Sequence, residues 1–463
     1  MALNFSRLGS GLVGNLSAQG TATIAYVLVQ LVSVPILAQS WGLEKYGIWL
    51  ILFTLPGYII ASPAGLVGAA ANEATTAFNQ GREEDARLAF QTMTLALGAI
   101  CLVALVPGWL VTFGSSGEWL EFATQQVGYE AIPATFLLVA YGCLVLFGAG
   151  FETPFRAVGA YAKAAYLQAF IVLFEAGIAL GLVLAGGGLG DAAAGFLVGR
   201  AIGTGTTVAL ASSVAPQFMA GAWRFSMSEL RRLAGPSIAL AMVPIGFALS
   251  LQATVAVLAA AAGPAAVPAF TAVRTLARAA IQVTSVVSRA TIPEYTIADA
   301  RGDRARKLDL LSINIAAALA ILLPGLLAML LLGPWFVNAW TGGEITASLA
   351  LVAALGASAV LGGLWLVVSN LILATNQQSA YGYAFAIMSA LALVPAYLLS
   401  QSLGASGAAA AMLLLDAAMF VWVLLQARRL GHARPGDLLA APRRALALVR
   451  SRWPSLFIGS NRD

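Results

Sequence analysis

Apolar residues occur along this chain in long runs of about 20 residues each, the length that an α-helix needs to cross a bilayer core. Short polar segments separate the runs. The first six predicted helices cover residues 16–37, 46–70, 90–111, 129–149, 164–184 and 192–214. The second six cover residues 233–259, 267–291, 310–332, 348–374, 381–399 and 404–425. This pattern predicts an all-α, polytopic membrane protein of about twelve transmembrane helices.

The composition supports a membrane protein. Of the 463 residues, 60% are hydrophobic and 10% are charged, and the mean hydropathy is +0.86, which is too apolar for a soluble surface. The 47 glycines let helices approach closely, as membrane bundles require. The first apolar run exceeds the length of a signal peptide and lacks a small-residue cleavage site, so we expect it to be retained.

Side chains suited to metal, redox or acid–base chemistry are scarce. Cys101 and Cys143 lie inside apolar runs, and His432, the single histidine, lies in the C-terminal tail. We therefore expect no disulfide framework, metal site or other cofactor. The net charge of +5 comes from basic residues placed between apolar runs, so we expect no nucleic acid partner.

The basic residues predict how the chain is oriented. Lys and Arg are concentrated after the second, fourth, sixth and eighth helices, whereas the alternate loops hold almost none. Because such loops stay in the cytoplasm, both termini are predicted to be cytoplasmic. Two interpretations fit the basic tail, residues 428–463: an amphipathic segment on the anionic membrane surface, and a disordered tail.

Two short matches indicate an internal repeat. The pattern E-x-T-x-A-x-x-x-G begins at Glu73, after the second helix, and again at Glu294, after the eighth. The tripeptide V-P-I occurs at residues 34–36 and 243–245. Six helices per repeat is an even number, so the two lobes are parallel and related by an axis along the membrane normal. We predict lobes of residues 1–222 and 223–427, with the substrate path in the cleft between them.

The first hairpin resembles that of a known family. Its residues are V-P-I-L-A at 34–38, G-L-E-K-Y-G-I-W at 42–49 and A-A-N-E-A at 70–74, with Gly81 closing the loop. They are similar to the oligosaccharide and polysaccharide flippases, of O-antigen type, in the superfamily that also contains multidrug exporters and lipid II flippases. Pro293, Glu294 and Gly302 resemble that family's loop after the eighth helix.

This resemblance implies a flippase of the bacterial inner membrane. Its substrate would be a lipid-(di)phosphate-linked oligosaccharide, moved from the cytoplasmic to the periplasmic leaflet by alternating access of a central cavity. The expected partners are the substrate itself, membrane lipids, and the polysaccharide polymerase and glycosyltransferases of surface polysaccharide assembly.

A polar stripe on the eighth predicted helix is the strongest candidate site. Arg274, Arg278, Gln282, Ser285 and Arg289 follow one another at spacings of four, four, three and four, which places them on one helical face. An arginine in a bilayer is costly unless it faces water, a partner or the bundle interior, so we expect this stripe to face the cleft. Guanidinium groups suit phosphate oxygens. Arg289 also fits the cytoplasmic basic set, and Arg274 a pair with a carboxylate.

The first predicted helix carries a second polar stripe. Asn15, Gln19, Thr23, Tyr26 and Gln30 again recur at spacings of three and four. Their amides and hydroxyls suit sugar hydroxyls, so we include Asn15, Gln19, Tyr26 and Gln30 in the predicted substrate site. Hydrogen bonding between helices is the alternative.

Two carboxylates in apolar runs are candidates for coupling transport to a proton or a monovalent cation. These are Glu175, in the fifth helix, and Asp416, in the twelfth. Arg200 in the sixth helix offers Glu175 a structural ion pair instead, whereas Asp416 has no partner evident from the sequence.

Two other functions compete with the flippase. A cation-coupled exporter of drugs or metabolites shares the two-lobe plan, but it would favour acidic rather than cationic cavity residues. A polytopic polysaccharide polymerase or transferase would need an extended outer loop, and the predicted outer loops are short. We therefore expect a transporter and not an enzyme.

Overall fold

The computed structural model describes residues 5–61, 63–113, 130–289, 291, 294–295, 298–299, 301–374, 378–430, 436–437 and 440–447. These residues are helical with short connections, and no strand occurs among them, which confirms the all-α prediction. The helices are α1 (Phe5–Leu52), α2 (Thr54–Ala61), α3 (Ala64–Asn79), α4 (Glu83–Phe113), α5 (Ala131–Gly150), α6 (Glu152–Ala157), α7 (Tyr161–Leu184), α8 (Leu189–Val214), α9 (Pro216–Met219), α10 (Met227–Ala248), α11 (Thr254–Ala262), α12 (Val267–Arg289), α13 (Arg304–Trp340), α14 (Leu349–Ala374), α15 (Gln378–Leu403) and α16 (Ala405–Arg429).

Ten segments of the described chain are long and apolar enough to cross a membrane. The first, Ser17–Asn79, has 63 residues and would extend about 95 Å as one straight helix, roughly three times the bilayer core. It is broken at Gly42, whose φ of 71° and ψ of 173° leave the helical region. This segment therefore supplies two crossings. Helix α12 has 23 residues and a polar face and is not among the ten; counted with the two crossings of the first segment, it would bring the described chain to about twelve helices.

The chain divides into two compact units. Unit 1 consists of Met1–Thr271 and Asn338–Thr346, and unit 2 of Ala272–Val337 and Ala347–Asp463. The boundary falls inside α12, so Arg274 and the later residues of that helix belong to unit 2. The predicted lobes, with their boundary at residue 222, and the parallel repeat stay predictions.

Glycines set the contact between α7 and α8 in unit 1. A Cβ atom at Gly195, Gly199 or Gly203 of α8 would overlap Ala179, Glu175 or Ile171 of α7, respectively. As the residue number increases along α8, the number of the contacted residue in α7 decreases, so the two helices pack antiparallel at close range. The sequence also shows a glycine pair in α7, Gly177 and Gly181, but open space surrounds both of them.

Similar close contacts join the second crossing, which follows Gly42, to α10, to the turn after α10 and to the residue Pro264 after α11. A Cβ atom at Gly47 would overlap Pro264, one at Gly57 would overlap Gln252, and one at Gly65 would overlap Ser237. These contacts again run antiparallel. Between α10 and α11 the chain forms one π-helical turn, Leu249–Ala253, which carries Gln252.

Unit 2 is built around α14, which packs against α13 and α16. On the α13 side, a Cβ atom at Gly333 of α13 would press against Val352, and one at Gly356 or Gly363 of α14 against Leu326 or Leu322. Helices α15 and α16 meet where Gly407 touches the backbone of Leu399. The buried face of α14 carries polar residues as well, and these contribute to the site described next.

Candidate functional site

The polar stripe predicted for the eighth membrane helix lies on α12, the most amphipathic of the helices that the structure describes. Arg274, Arg278, Gln282 and Ser285 are partly buried. The side-chain oxygen Oε1 of Gln282 is buried and accepts no hydrogen bond from the described residues. The side chain of Arg289 lies outside the part of the chain that the structure describes.

The two central arginines carry like charges one helical turn apart. The positive charge of Arg278 repels that of Arg274 and attracts the carboxylate of Asp416 on α16. Arg278 and Asp416 do not form an ion pair at hydrogen-bonding distance. The positive charge of Arg278 is therefore partly compensated by the Asp416 carboxylate, whereas its N–H groups donate no hydrogen bond to that carboxylate.

Asp416 is held from the other side by α14. The Ser358 hydroxyl donates to its Oδ2, and the Trp365 indole N–H donates to its Oδ1 at 2.9 Å. The indole in turn packs against Phe385 of α15 with 5.3 Å between ring centroids. The sequence offered no partner for Asp416, because its donors lie on a helix distant in the chain. Its role in ion coupling stays a prediction.

A second buried amide in unit 2 lacks a hydrogen-bond partner among the described residues. Asn370, also on α14, is 4% exposed, and its amide nitrogen Nδ2 has no acceptor among the described residues. Gln282 and Asn370 are thus two buried amides of the described part of this unit that retain hydrogen-bonding capacity.

The polar stripe of α1 lies in unit 1 and faces α7 in part. The Gln19 Oε1 accepts a hydrogen bond from the Tyr161 hydroxyl at 3.0 Å, and the Ser17 and Tyr166 hydroxyls are 2.9 Å apart. Tyr26 is 51% exposed, and Gln30 is partly buried. The Asn15 side chain lies outside the described residues. The substrate-binding role of this stripe stays a prediction.

Glu175 forms a buried ion pair inside unit 1. Its Oε1 accepts from Arg200 Nη2 at 2.6 Å and from the Tyr141 hydroxyl at 2.9 Å. Both charged residues are under 5% exposed. Arg200 Nη1 also donates to Gln168 Oε1 at 3.3 Å. The structural pair that the sequence suggested is thus present, and the ion-coupling role of Glu175 stays a prediction.

A polar cavity that was not predicted from the sequence lies between α3 and α10 in unit 1. It has a volume of about 270 Å³ and contains an ion-pair network centred on Arg232. Its lining residues are Ala69, Asn72, Glu73, Thr76, Arg232, Leu233, Pro236 and Leu240. The one signal in the sequence was Glu73, the first residue of the repeated motif, whose pairing with α10 no local pattern reveals.

Comparison with known proteins identifies the fold. No family model and no curated protein matches the sequence. An inward-facing MATE family multidrug resistance transporter of the MOP superfamily superposes with a TM-score of 0.70 at 15% identity, over 93% of this chain and 99% of its own. The lipid II flippase MurJ, in an inward closed conformation, gives 0.66 at 13% identity, over 96% of this chain and 93% of its own.

A MOP superfamily transporter from Pyrococcus furiosus Vc1 superposes with a TM-score of 0.60 at 15% identity, over 93% of this chain and 97% of its own. The names of these neighbours describe transporters and a flippase, and their fold agrees with the predicted all-α, multi-pass architecture. The chain has the fold that these members of the MOP superfamily share.

Proposed function

We propose that the protein is a flippase of the MOP superfamily that moves a lipid-(di)phosphate-linked oligosaccharide from the cytoplasmic to the periplasmic leaflet of the bacterial inner membrane. The transport step is alternating access of a cationic cavity, and the product serves surface polysaccharide assembly. The observation that carries this proposal is the arginine pair, Arg274 and Arg278, on the polar face of α12.

The energetic cost of this pair argues for a function. An arginine at the centre of a bilayer costs about 2.5–3.5 kcal/mol on insertion scales. Two cations about 6 Å apart, as at positions i and i+4, repel by about 3 kcal/mol at an effective dielectric constant of about 20. Asp416 offsets part of this repulsion without pairing directly with Arg278. Water or an anionic ligand at Arg278 would offset this cost further.

A phosphate or diphosphate suits the donors that are present. Guanidinium groups offer planar pairs of N–H donors that match two phosphate oxygens, and two arginines one turn apart match two phosphoryl groups. Gln282 adds a buried acceptor one turn further along α12. The α1 stripe of Gln19, Tyr26 and Gln30 supplies amides and a hydroxyl for the sugar residues.

In this mechanism Asp416 is the counter-ion of Arg278, and an arriving phosphate must compete with its carboxylate for the positive charge of Arg278. A proton or a monovalent cation that neutralises Asp416 would free Arg278 for the substrate, which gives a route to coupling with an ion gradient. Asp416 is well placed for such a role because α14 fixes its orientation through Ser358 and Trp365.

A cation-coupled exporter of drugs or metabolites is the second candidate. It is favoured by the multidrug transporters among the solved structures of this fold. The name of the Pyrococcus furiosus structure, however, describes a reversed polarity of the binding pocket and suggests a different function for that protein. Arg274 and Arg278 give this chain a cationic face, which favours an anionic substrate. Loss of drug resistance without loss of surface glycan in a deletion strain would support the exporter.

The central test replaces Arg278. We expect Arg278→Ala to abolish export of the surface glycan while the amount of protein in the membrane is unchanged, because the phosphate loses its main cation. Arg278→Lys should restore export only in part, since an ammonium group lacks the paired donors of a guanidinium. Arg301→Ala, at an exposed arginine before α13, is the matched control and should export normally.

Surface glycan is measured by labelling intact cells, and membrane protein by immunoblot. Full export by the Arg278→Ala variant would remove the basis of the proposed site. Equal loss in the Arg301→Ala control would show that the effect follows from any loss of positive charge.

A further inference from the structure

The cavity between α3 and α10 has two unlike walls. One wall is polar and comes from α3, with Asn72, Glu73 and Thr76. The opposite wall comes from α10, where Leu233, Pro236 and Leu240 are spaced three and four residues apart and so share one face. Arg232 joins the two walls.

The charges in this cavity are already largely compensated. Arg232 Nη2 donates to Glu229 Oε1 at 2.7 Å, and Arg232 Nε donates to Glu229 Oε2 at 3.0 Å. Arg232 Nη2 also forms an ion pair with Glu73 Oε1 at 2.9 Å. One guanidinium therefore faces two carboxylates. A phosphate entering here would meet an excess of negative charge, so the site disfavours a free anion.

Several hydrogen-bonding groups remain available to a ligand. Among the described residues, none accepts a hydrogen bond from Arg232 Nη1, and the side chains of Asn72 and Thr76 form none with their neighbours. Arg232 is about half exposed and Glu73 is 24% exposed, so both are accessible from the cavity, and the ion pair between them restrains their side chains. Donors and acceptors are thus both present, beside an apolar wall.

This combination fits a neutral sugar ring. Sugar hydroxyls both donate and accept, which matches the carboxylate, amide, hydroxyl and guanidinium groups here, and the C–H face of the ring suits Leu233 and Pro236. The cavity, with a volume of about 270 Å³, has space for one sugar residue.

We propose that this cavity binds a neutral sugar residue of the substrate, separately from the phosphate site at Arg278. The inference rests on the proposed flippase function and adds a site of glycan recognition to it. The cavity lies near the loops around Arg82 and Arg224, which are predicted to be cytoplasmic, so it would select the glycan before translocation.

The test measures protection of a cysteine placed in the cavity. Thr76→Cys is introduced into protein in which Cys101 and Cys143 are replaced by Ala, and its reaction rate with a maleimide is measured in detergent. A panel of N-acetylglucosamine, galactose and glucose should contain at least one sugar that slows the reaction several-fold, with a dissociation constant on the order of 1 mM. Leu240→Cys serves if the Thr76→Cys protein does not accumulate.

The controls separate a sugar site from other causes. Gln80→Cys, exposed at the end of α3 and outside the cavity, should react at the same rate with and without sugar. Adding Asn72→Ala or Glu73→Gln to the Thr76→Cys protein should remove the protection. Inorganic pyrophosphate should protect much less than the effective sugar.

Three results would overturn the proposal. These are no protection by any sugar of the panel, equal protection by pyrophosphate, and equal slowing at Gln80→Cys. The result is independent of the Arg278 test, because it measures binding with Arg278 intact. Sugar protection together with full export by the Arg278→Ala variant would keep this cavity and discard the phosphate site.

Discussion

Two arginines within apolar helices have different surroundings in this molecule. Arg200 donates directly to Glu175 and is closed off from solvent, whereas Arg278 interacts with Asp416 only at longer range. The sequence predicted the first pair because Glu175 and Arg200 lie on adjacent helices. It did not predict the surroundings of Asp416, because those depend on how α12, α14 and α16 pack.

The Glu175–Arg200 pair gives a stability prediction. Arg200→Ala leaves a buried carboxylate without its cation and should destabilise the protein by about 3–5 kcal/mol. Glu175→Gln combined with Arg200→Gln should recover most of this loss, because no unpaired charge remains. The measurement is the thermal unfolding midpoint of the purified protein in one detergent. An Arg200→Ala variant as stable as the parent would show that Glu175 is neutral in the folded state.

At the scale of helices, the sequence predicted the number and type of elements well, but not their ends. The fourth helix of unit 1, α4, begins at Glu83, although the apolar run begins only at residue 90. Likewise α13 extends from Arg304 to Trp340 around an apolar run of 310–332. Hydropathy marks the part of a helix that lies in the bilayer core, whereas backbone hydrogen bonding continues past it into polar residues.

Close helix contacts at glycine give a second stability prediction. Gly65→Ala places a methyl group against the backbone of Ser237 on α10, so the two helices must separate and the protein should lose stability. Gly98→Ala, in open space on α4, is the matched control and should be neutral or stabilising by up to about 1 kcal/mol, because alanine favours the helix. Equal thermal midpoints for the two variants would contradict the close contact.

For the whole molecule, the sequence predicted an all-α membrane protein of about twelve helices, and the described helices and the fold of the solved neighbours agree with this architecture. The grouping of helices is harder to predict. The compact units divide within α12, and unit 1 includes the segment Asn338–Thr346, whose Trp340 indole donates to the backbone of Leu31 at 3.0 Å. A contact between residues so far apart in the chain leaves no periodic signal in the sequence.

The predicted orientation has a direct test by cysteine labelling from each side of the membrane. Cysteines at Gly81, Gly302 and His432 should react from the cytoplasm, and one at Ser116 from outside; His432 and Ser116 lie outside the described residues. Gly342 is also predicted to be outside, but a Cβ atom there would overlap Gln39, so Glu344, which is exposed, is the better position. Labelling of position 302 from outside would reverse the topology.

The glycine contact between α7 and α8 has a consequence for how the protein is made. Helix α8 is the least hydrophobic of the ten described spans, and its Arg200 opposes insertion by about 2.5–3.5 kcal/mol. Only residues 185–188 connect it to α7, which carries Glu175. The two helices can therefore leave the translocon together as a hairpin, with the charges already paired. Membrane integration of α8 then depends on α7, and a long insertion between residues 185 and 188 should block that integration.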